Sequence, residues 1–118
     1  MDLSDVMKQR SFVVVGNTHD PEKYAYKIKQ AMLVHEYQVD AVGSEYKSIN
    51  EVPGEIDIID LCIRADRGLE LLKECKKPFR GVVIQPGASS EALLRYLEDK
   101  QIPYLQGCLL RGLQLYKE

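Results

Sequence analysis

The chain has 118 residues and 45% hydrophobic content, enough for the core of one ordinary globular domain. A formal net charge of −2 gives no general pull toward nucleic acid or anionic membranes, and no apolar run approaches the length of a membrane span. Cys62, Cys75 and Cys108 are odd in number, widely spaced and without a CxxC pair, so neither a disulfide framework nor a metal site is indicated.

The opening MDLSDVMKQR has acidic residues where a signal peptide would be basic and lacks its apolar centre, which sets the expectation of a cytoplasmic protein. Within it, Leu3, Val6 and Met7 form one apolar edge of a short helix. Phe12–Val15 is a continuous apolar run, the mark of a strand buried on both faces. Gly16 ends it, and Asn17 to Asp20 form a polar turn. Asp20 and Pro21 suit the N-cap and first position of a helix, along which Tyr24, Ile28, Ala31 and Met32 recur at helical spacing. Gln38–Val42 reads as a second strand, closed by Gly43 and Ser44. Ser48 and Glu51 have capping-box spacing for one helical turn, stopped by Pro53. Ile56–Ile63 is the third strand; its Asp57 and Asp60 are atypical and expected at strand ends or on an exposed edge. Asp66 can cap a helix whose Leu69 and Leu72 face inward. Phe79–Gln85 is the fourth strand and Pro86-Gly87 its turn. Ser89 or Ser90 then caps a helix that buries Leu93, Leu94 and Leu97. Ile102–Leu105 is a short fifth strand, and Leu109, Leu113 and Tyr116 let a last helix close the domain.

Strands alternating with helices over short connections predict a doubly wound α/β fold in one domain over residues 1–118. Its parallel five-stranded sheet is expected to be Rossmann-like, with strand order 3-2-1-4-5. Ligands bind such sheets beyond the carboxyl ends of the strands, where the strand order reverses. The crevice collects Gly16, Asn17, Thr18 and His19 from the first loop and Gly43, Ser44, Tyr46 and Lys47 from the second. The third loop brings Ile63 and Arg64, and the fourth brings Gln85, Pro86 and Gly87. A tight Gly turn running into a helix N-terminus suits a phosphate, and Lys23 adds a cation there. The GxGxxG dinucleotide fingerprint is absent, because Thr18 and Pro21 stand where its later glycines belong. No acid closes the second strand to hold a ribose, so a nicotinamide cofactor is disfavoured. His19, His35 and Cys108 compose no evident catalytic set.

Three segments, VVVGNTHDPEKYAYKI, IDIIDLCIR and IQPGASSEALLRYLEDKQIPYLQGC, resemble in order and spacing the small stand-alone CoA-binding proteins. That family is similar to the nucleotide-binding N-terminal domain of the succinyl-CoA synthetase alpha subunit. The resemblance spans about Phe12 to Tyr116 and implies a domain that holds the ADP portion of CoA, or of an acyl-CoA, across the strand ends. It implies that Gly16 to Asp20, with Lys23 and Tyr24, hold the diphosphate. Gly43, Ser44 and Lys47 would meet the adenosine and its 3′-phosphate. Ile63, Arg64, Pro86 and Gly87 would line the remaining wall and the start of the pantetheine arm. Two departures fall in this crevice. Asn17-Thr18 replaces the family's usual small residue and Ser, and Gly43-Ser44 replaces a frequent Asn-Pro. The ligase's phosphorylated histidine belongs to a second domain with no counterpart in this sequence, so the resemblance implies binding of a small-molecule ligand rather than ligase activity. Two other readings stay open: an NAD(H)-binding redox sensor domain that regulates a partner, and an enzyme acting on a CoA thioester through Cys108.

Overall fold

The computed structural model describes residues 1–117. Strands β1 (Ser11–Val15), β2 (Gln38–Val42), β3 (Ile58–Leu61), β4 (Gly81–Ile84) and β5 (Tyr104–Gln106) form one parallel sheet. Helices α1 (Leu3–Met7), α2 (Tyr24–Val34), α3 (Ala65–Glu74), α4 (Glu91–Asp99) and α5 (Leu109–Tyr116) alternate with the strands, and a 3-10 turn at Ile49–Glu51 stands between β2 and β3.

The strand order is 2-1-3-4-5 rather than the expected 3-2-1-4-5. Burial explains the difference. All four residues of β3 are buried, whereas Gln38 is exposed and Val39 and Asp40 are half-buried in β2. An edge strand tolerates polar residues that a central strand cannot, so β2 takes the edge and β3 moves inside, against β1. The reversal of order therefore falls between β1 and β3, as in the other common doubly wound arrangement.

Alternate residues of the central strands point to opposite faces. Phe12, Val14, Ile58 and Val83 pack against Ile28 and Met32 of α2 and Leu109 and Leu113 of α5. Val13, Ile59, Leu61 and Val82 pack against Leu71 and Leu72 of α3 and Leu93 and Leu97 of α4. Among the described residues no helix is long and apolar enough to cross a membrane.

Several local expectations shift. Helix α2 begins at Tyr24 with Lys23 as its N-cap, not at Asp20-Pro21. The Asn17 carboxamide accepts the His19 and Asp20 N–H groups at 3.0 and 3.2 Å, and Asp20 accepts the Glu22 N–H at 3.0 Å. Those side-chain turns spend the capping residues in the loop and delay the helix. With the later start Ala25, Ile28 and Met32 face the sheet, and Tyr24 is 67% exposed. Tyr116 likewise stays exposed at the end of α5. Arg64, not Asp66, occupies the N-cap of α3. Asp57 does stand at a strand end, where it accepts the Arg10 and Ser11 N–H groups. Asp60 does not: it is completely buried inside β3.

The capping expectation for α4 resolves to Ser90, whose hydroxyl accepts the Leu93 N–H at 3.1 Å. Ser90→Ala should lower the unfolding free energy by about 1 kcal/mol. Ser89→Ala, one residue earlier and exposed, should leave it unchanged. Equal urea midpoints for the two variants would remove the cap from the account.

Candidate functional site

Strands β1, β3 and β4 end in register, with Val15 opposite Leu61 and Leu61 opposite Ile84. The ladder continues one residue further. The Cys62 N–H bonds the Val15 carbonyl at 2.8 Å and the Gln85 N–H bonds the Leu61 carbonyl at 3.1 Å. Above this rim opens a cleft of about 880 Å³, a size typical of small-molecule sites, at the reversal of strand order.

The first two loops are built for close approach. Gly16 has φ +153°, and a Cβ there would lie 2.6 Å from the Cys62 carbonyl oxygen. Gly43 has φ +108°, and its Cβ would lie 3.1 Å from the Gly16 carbonyl oxygen. Only glycine lets the two backbones run this near each other and still leave the strand ends open. Thr18 is buried, and its hydroxyl shares a hydrogen bond with that of Ser44, which ties the loop after β1 to the loop after β2.

Three helices begin at this cleft, and among the described residues no side chain caps any of them. Their N-cap residues, Lys23 for α2, Arg64 for α3 and Cys108 for α5, all line the cleft. The other helical segments carry side-chain caps from Asp2, Ser48 and Ser90. A cation at a helix start opposes the dipole unless an anion stands between them, and free N–H groups call for an acceptor. Arg64 is only loosely held, by an exposed pair with Asp66 at 3.4 Å, and is free to turn toward a ligand.

Of the residues expected here, Gly16, Asn17, His19, Lys23 and Tyr24 line one side of the cleft. Gly43 and Ser44 close one end, and Ile63, Arg64, Pro86 and Gly87 form the opposite wall. Three are placed otherwise, Tyr46 among them, half-buried outside the lining and packed against the core. Thr18 lies beneath the surface, and Lys47 is exposed outside the lining, its N–H bonded to the Glu51 carboxylate at 3.0 Å. The expected Gln85 forms the floor together with Cys62, each one residue past its strand as Gly16 is past β1, and Cys108 also lines the cleft.

Under the floor sits Asp60. Gln85 Nε2 donates to its Oδ1 at 2.9 Å and Cys62 Sγ donates to its Oδ2 at 3.2 Å. Burial raises the Asp60 carboxyl to about 7 despite these two donors. Burial, followed by the neighbouring carboxylate, pushes the Cys62 thiol far up and keeps it protonated. Among the described residues no group of His, Cys, Asp and Glu is arranged to hold a metal ion.

Comparison with known proteins places this architecture. The chain is 31% identical to the alpha subunit of an ADP-forming acetate–CoA ligase II from Pyrococcus furiosus, over 64% of this chain and 19% of that subunit. It therefore spans about a fifth of the relative's length. A solved structure of a conserved hypothetical protein from Pyrococcus furiosus is 29% identical and superposes with a TM-score of 0.73, covering 82% of this chain and 92% of that one. A hypothetical protein from Pyrococcus horikoshii shares the fold with a TM-score of 0.85 at 18% identity, covering 100% and 94% of the two chains. Residues 10–114, nearly the whole chain, match the CoA binding domain family, and the protein belongs to it.

Proposed function

We propose that the cleft binds CoA or an acyl-CoA through its ADP portion, as a binding module rather than an enzyme. The observation that carries this reading is the convergence of three uncapped helix N-termini on one cleft, two of them headed by Lys23 and Arg64. Such a site suits a polyanion, and a diphosphate over the α2 N-terminus brings the adenosine toward Gly43 and Ser44. The pantetheine arm then follows the wall made by Ile63 and Pro86. The ligase subunit named above, which shares part of this sequence, supports CoA as the polyanion.

The nicotinamide alternative fares worse. Glu45, the first acid beyond β2, is held by Lys29 at 3.0 Å and does not line the cleft, so among the described residues no carboxylate is offered to a ribose.

Thermal-shift measurements with CoA, 3′-dephospho-CoA and NADH test the reading. Ligand at a hundred times its dissociation constant adds about 2.7 kcal/mol, so CoA should raise the melting temperature clearly and NADH should not. Lys23→Ala should weaken CoA about tenfold, the low end for a charge-assisted contact at an exposed site. Lys47→Ala reads the 3′-phosphate: a loss for CoA alone, with 3′-dephospho-CoA unaffected, assigns that group to its ammonium. A shift by NADH and none by CoA would overturn the proposal.

A further inference from the structure

The cleft holds two thiols of opposite character. Cys62 donates its proton to the buried Asp60 carboxylate at 3.2 Å, and that bond occupies it. Cys108 is half-buried, lines the cleft and stands at the N-cap of α5, where no side chain competes for the free N–H groups. An uncapped helix start leaves free N–H groups that favour an anionic ligand group in the cleft beside it. Both cysteines line the same cleft. Cys75 lies outside the cleft, its Sγ directed at the Lys77 carbonyl at 3.5 Å. One continuous cleft thus runs from the cationic start of α2, at Lys23, to a thiol at the start of α5. A ligand with phosphates at one end and sulfur at the other matches both.

We propose that Cys108 undergoes thiol–disulfide exchange with a disulfide of the pantetheine type, CoA disulfide being the simplest, and retains one half of it as a mixed disulfide in the cleft. This rests on the CoA reading above. The Cys108 thiolate attacks one sulfur of the ligand's disulfide. A bond forms between Cys108 Sγ and that sulfur, the ligand's S–S bond breaks, and the second CoA leaves as a thiolate that takes up a proton from water. The Cys108 sulfur is oxidised and the departing sulfur is reduced, so no further oxidant is needed. Cys62, with its proton committed to Asp60, does not compete as the attacking group.

The test incubates the reduced full-length chain with CoA disulfide and, separately, with glutathione disulfide, and follows intact mass and peptide maps. One CoA should add per chain, on Cys108, at least about tenfold faster than glutathione adds, because binding raises the local concentration of the reacting sulfur. Cys108→Ser should abolish the adduct, while Cys75→Ser, outside the cleft, keeps it. The peptide map of the unmutated chain reads the modified site without relying on any variant. No adduct, an adduct on Cys62 or Cys75, or equal rates for the two disulfides would overturn the exchange. Reduced CoA in the thermal-shift assay separates the two readings. A shift by CoA without an adduct from its disulfide rejects the exchange alone; no shift by CoA rejects the binding mode and the exchange with it.

Discussion

Asp60→Asn should make the protein more stable at pH 8 by about 2–4 kcal/mol and remove most of the dependence of its stability on pH between about 4 and 7. In the unfolded chain Asp60 loses its proton near 3.8, whereas in the fold burial raises the carboxyl to about 7. Between those values the folded state holds a proton that the unfolded state has released. The contribution of Asp60 is therefore most favourable below pH 4, declines as the pH rises, and is fully unfavourable above about 7. The full span corresponds to about 4 kcal/mol, at roughly 1.4 kcal/mol for each unit. Asparagine keeps the shape and never ionises. Its carbonyl can accept from Gln85 as Oδ1 of Asp60 does, and its amide can face the Cys62 sulfur, a weak acceptor. Losing the stronger bonds of a carboxylate trims the gain, hence the lower figure of the range. Urea unfolding at pH 5 and pH 8 decides the matter. Parallel pH dependence in the two proteins would mean that Asp60 does not carry it.

That a carboxylate lies under the cleft floor was the least legible feature of the sequence. Asp60 follows Ile58 and Ile59 in a run that reads as a strand, and a lone acid there points to an edge. Its burial depends on Gln85, 25 residues away, and Cys62, two residues on, and only the β3–β4 register brings the first of these beside it. Long-range pairing of this kind leaves no local trace. The strand order is illegible in the sequence for a related reason. Gln38 and Asp40 mark β2 as the more polar strand, yet polarity along one strand says nothing about its neighbours until the burial of β3 is compared with it. Phe12–Val15, Val82–Ile84 and the Ser48 and Ser90 caps were legible because period, run length and capping are local properties. The cleft was legible on the same footing: in a parallel sheet its residues are the first few after each strand, and most of the expected ones line it. Lys47 lies four residues past Gly43, beyond the reach of that rule. The late start of α2 was hidden because Asp20-Pro21 is a sound cap signal that the Asn17 turn overrides from three residues upstream.

Gly16→Ala should lower stability by about 2–4 kcal/mol and abolish the thermal shift with CoA. The added Cβ would stand 2.6 Å from the Cys62 carbonyl oxygen and 3.1 Å from the Ala25 Cβ. Neither neighbour can rotate away. The Cys62 carbonyl is main chain, in the same residue as the N–H that bonds Val15 at 2.8 Å, and Ala25 is buried in the first turn of α2. Relief therefore requires β1 and β3 to spread at the switch point, or α2 to lift from the sheet. Either movement displaces the helix start proposed to hold the diphosphate. The backbone adds strain of its own, because φ +153° is a conformation that alanine rarely adopts. Gly87→Ala separates the two contributions. Gly87 has φ +89°, but a Cβ there would meet nothing within 4 Å, so strain alone should cost about 1–2 kcal/mol. Urea unfolding of both variants, with circular dichroism to verify the fold, gives the comparison. If Gly16→Ala is no less stable than Gly87→Ala, the strand ends are looser than the close approach of Gly16 and Cys62 requires. If a folded Gly16→Ala protein binds CoA normally, the diphosphate does not sit over the first loop.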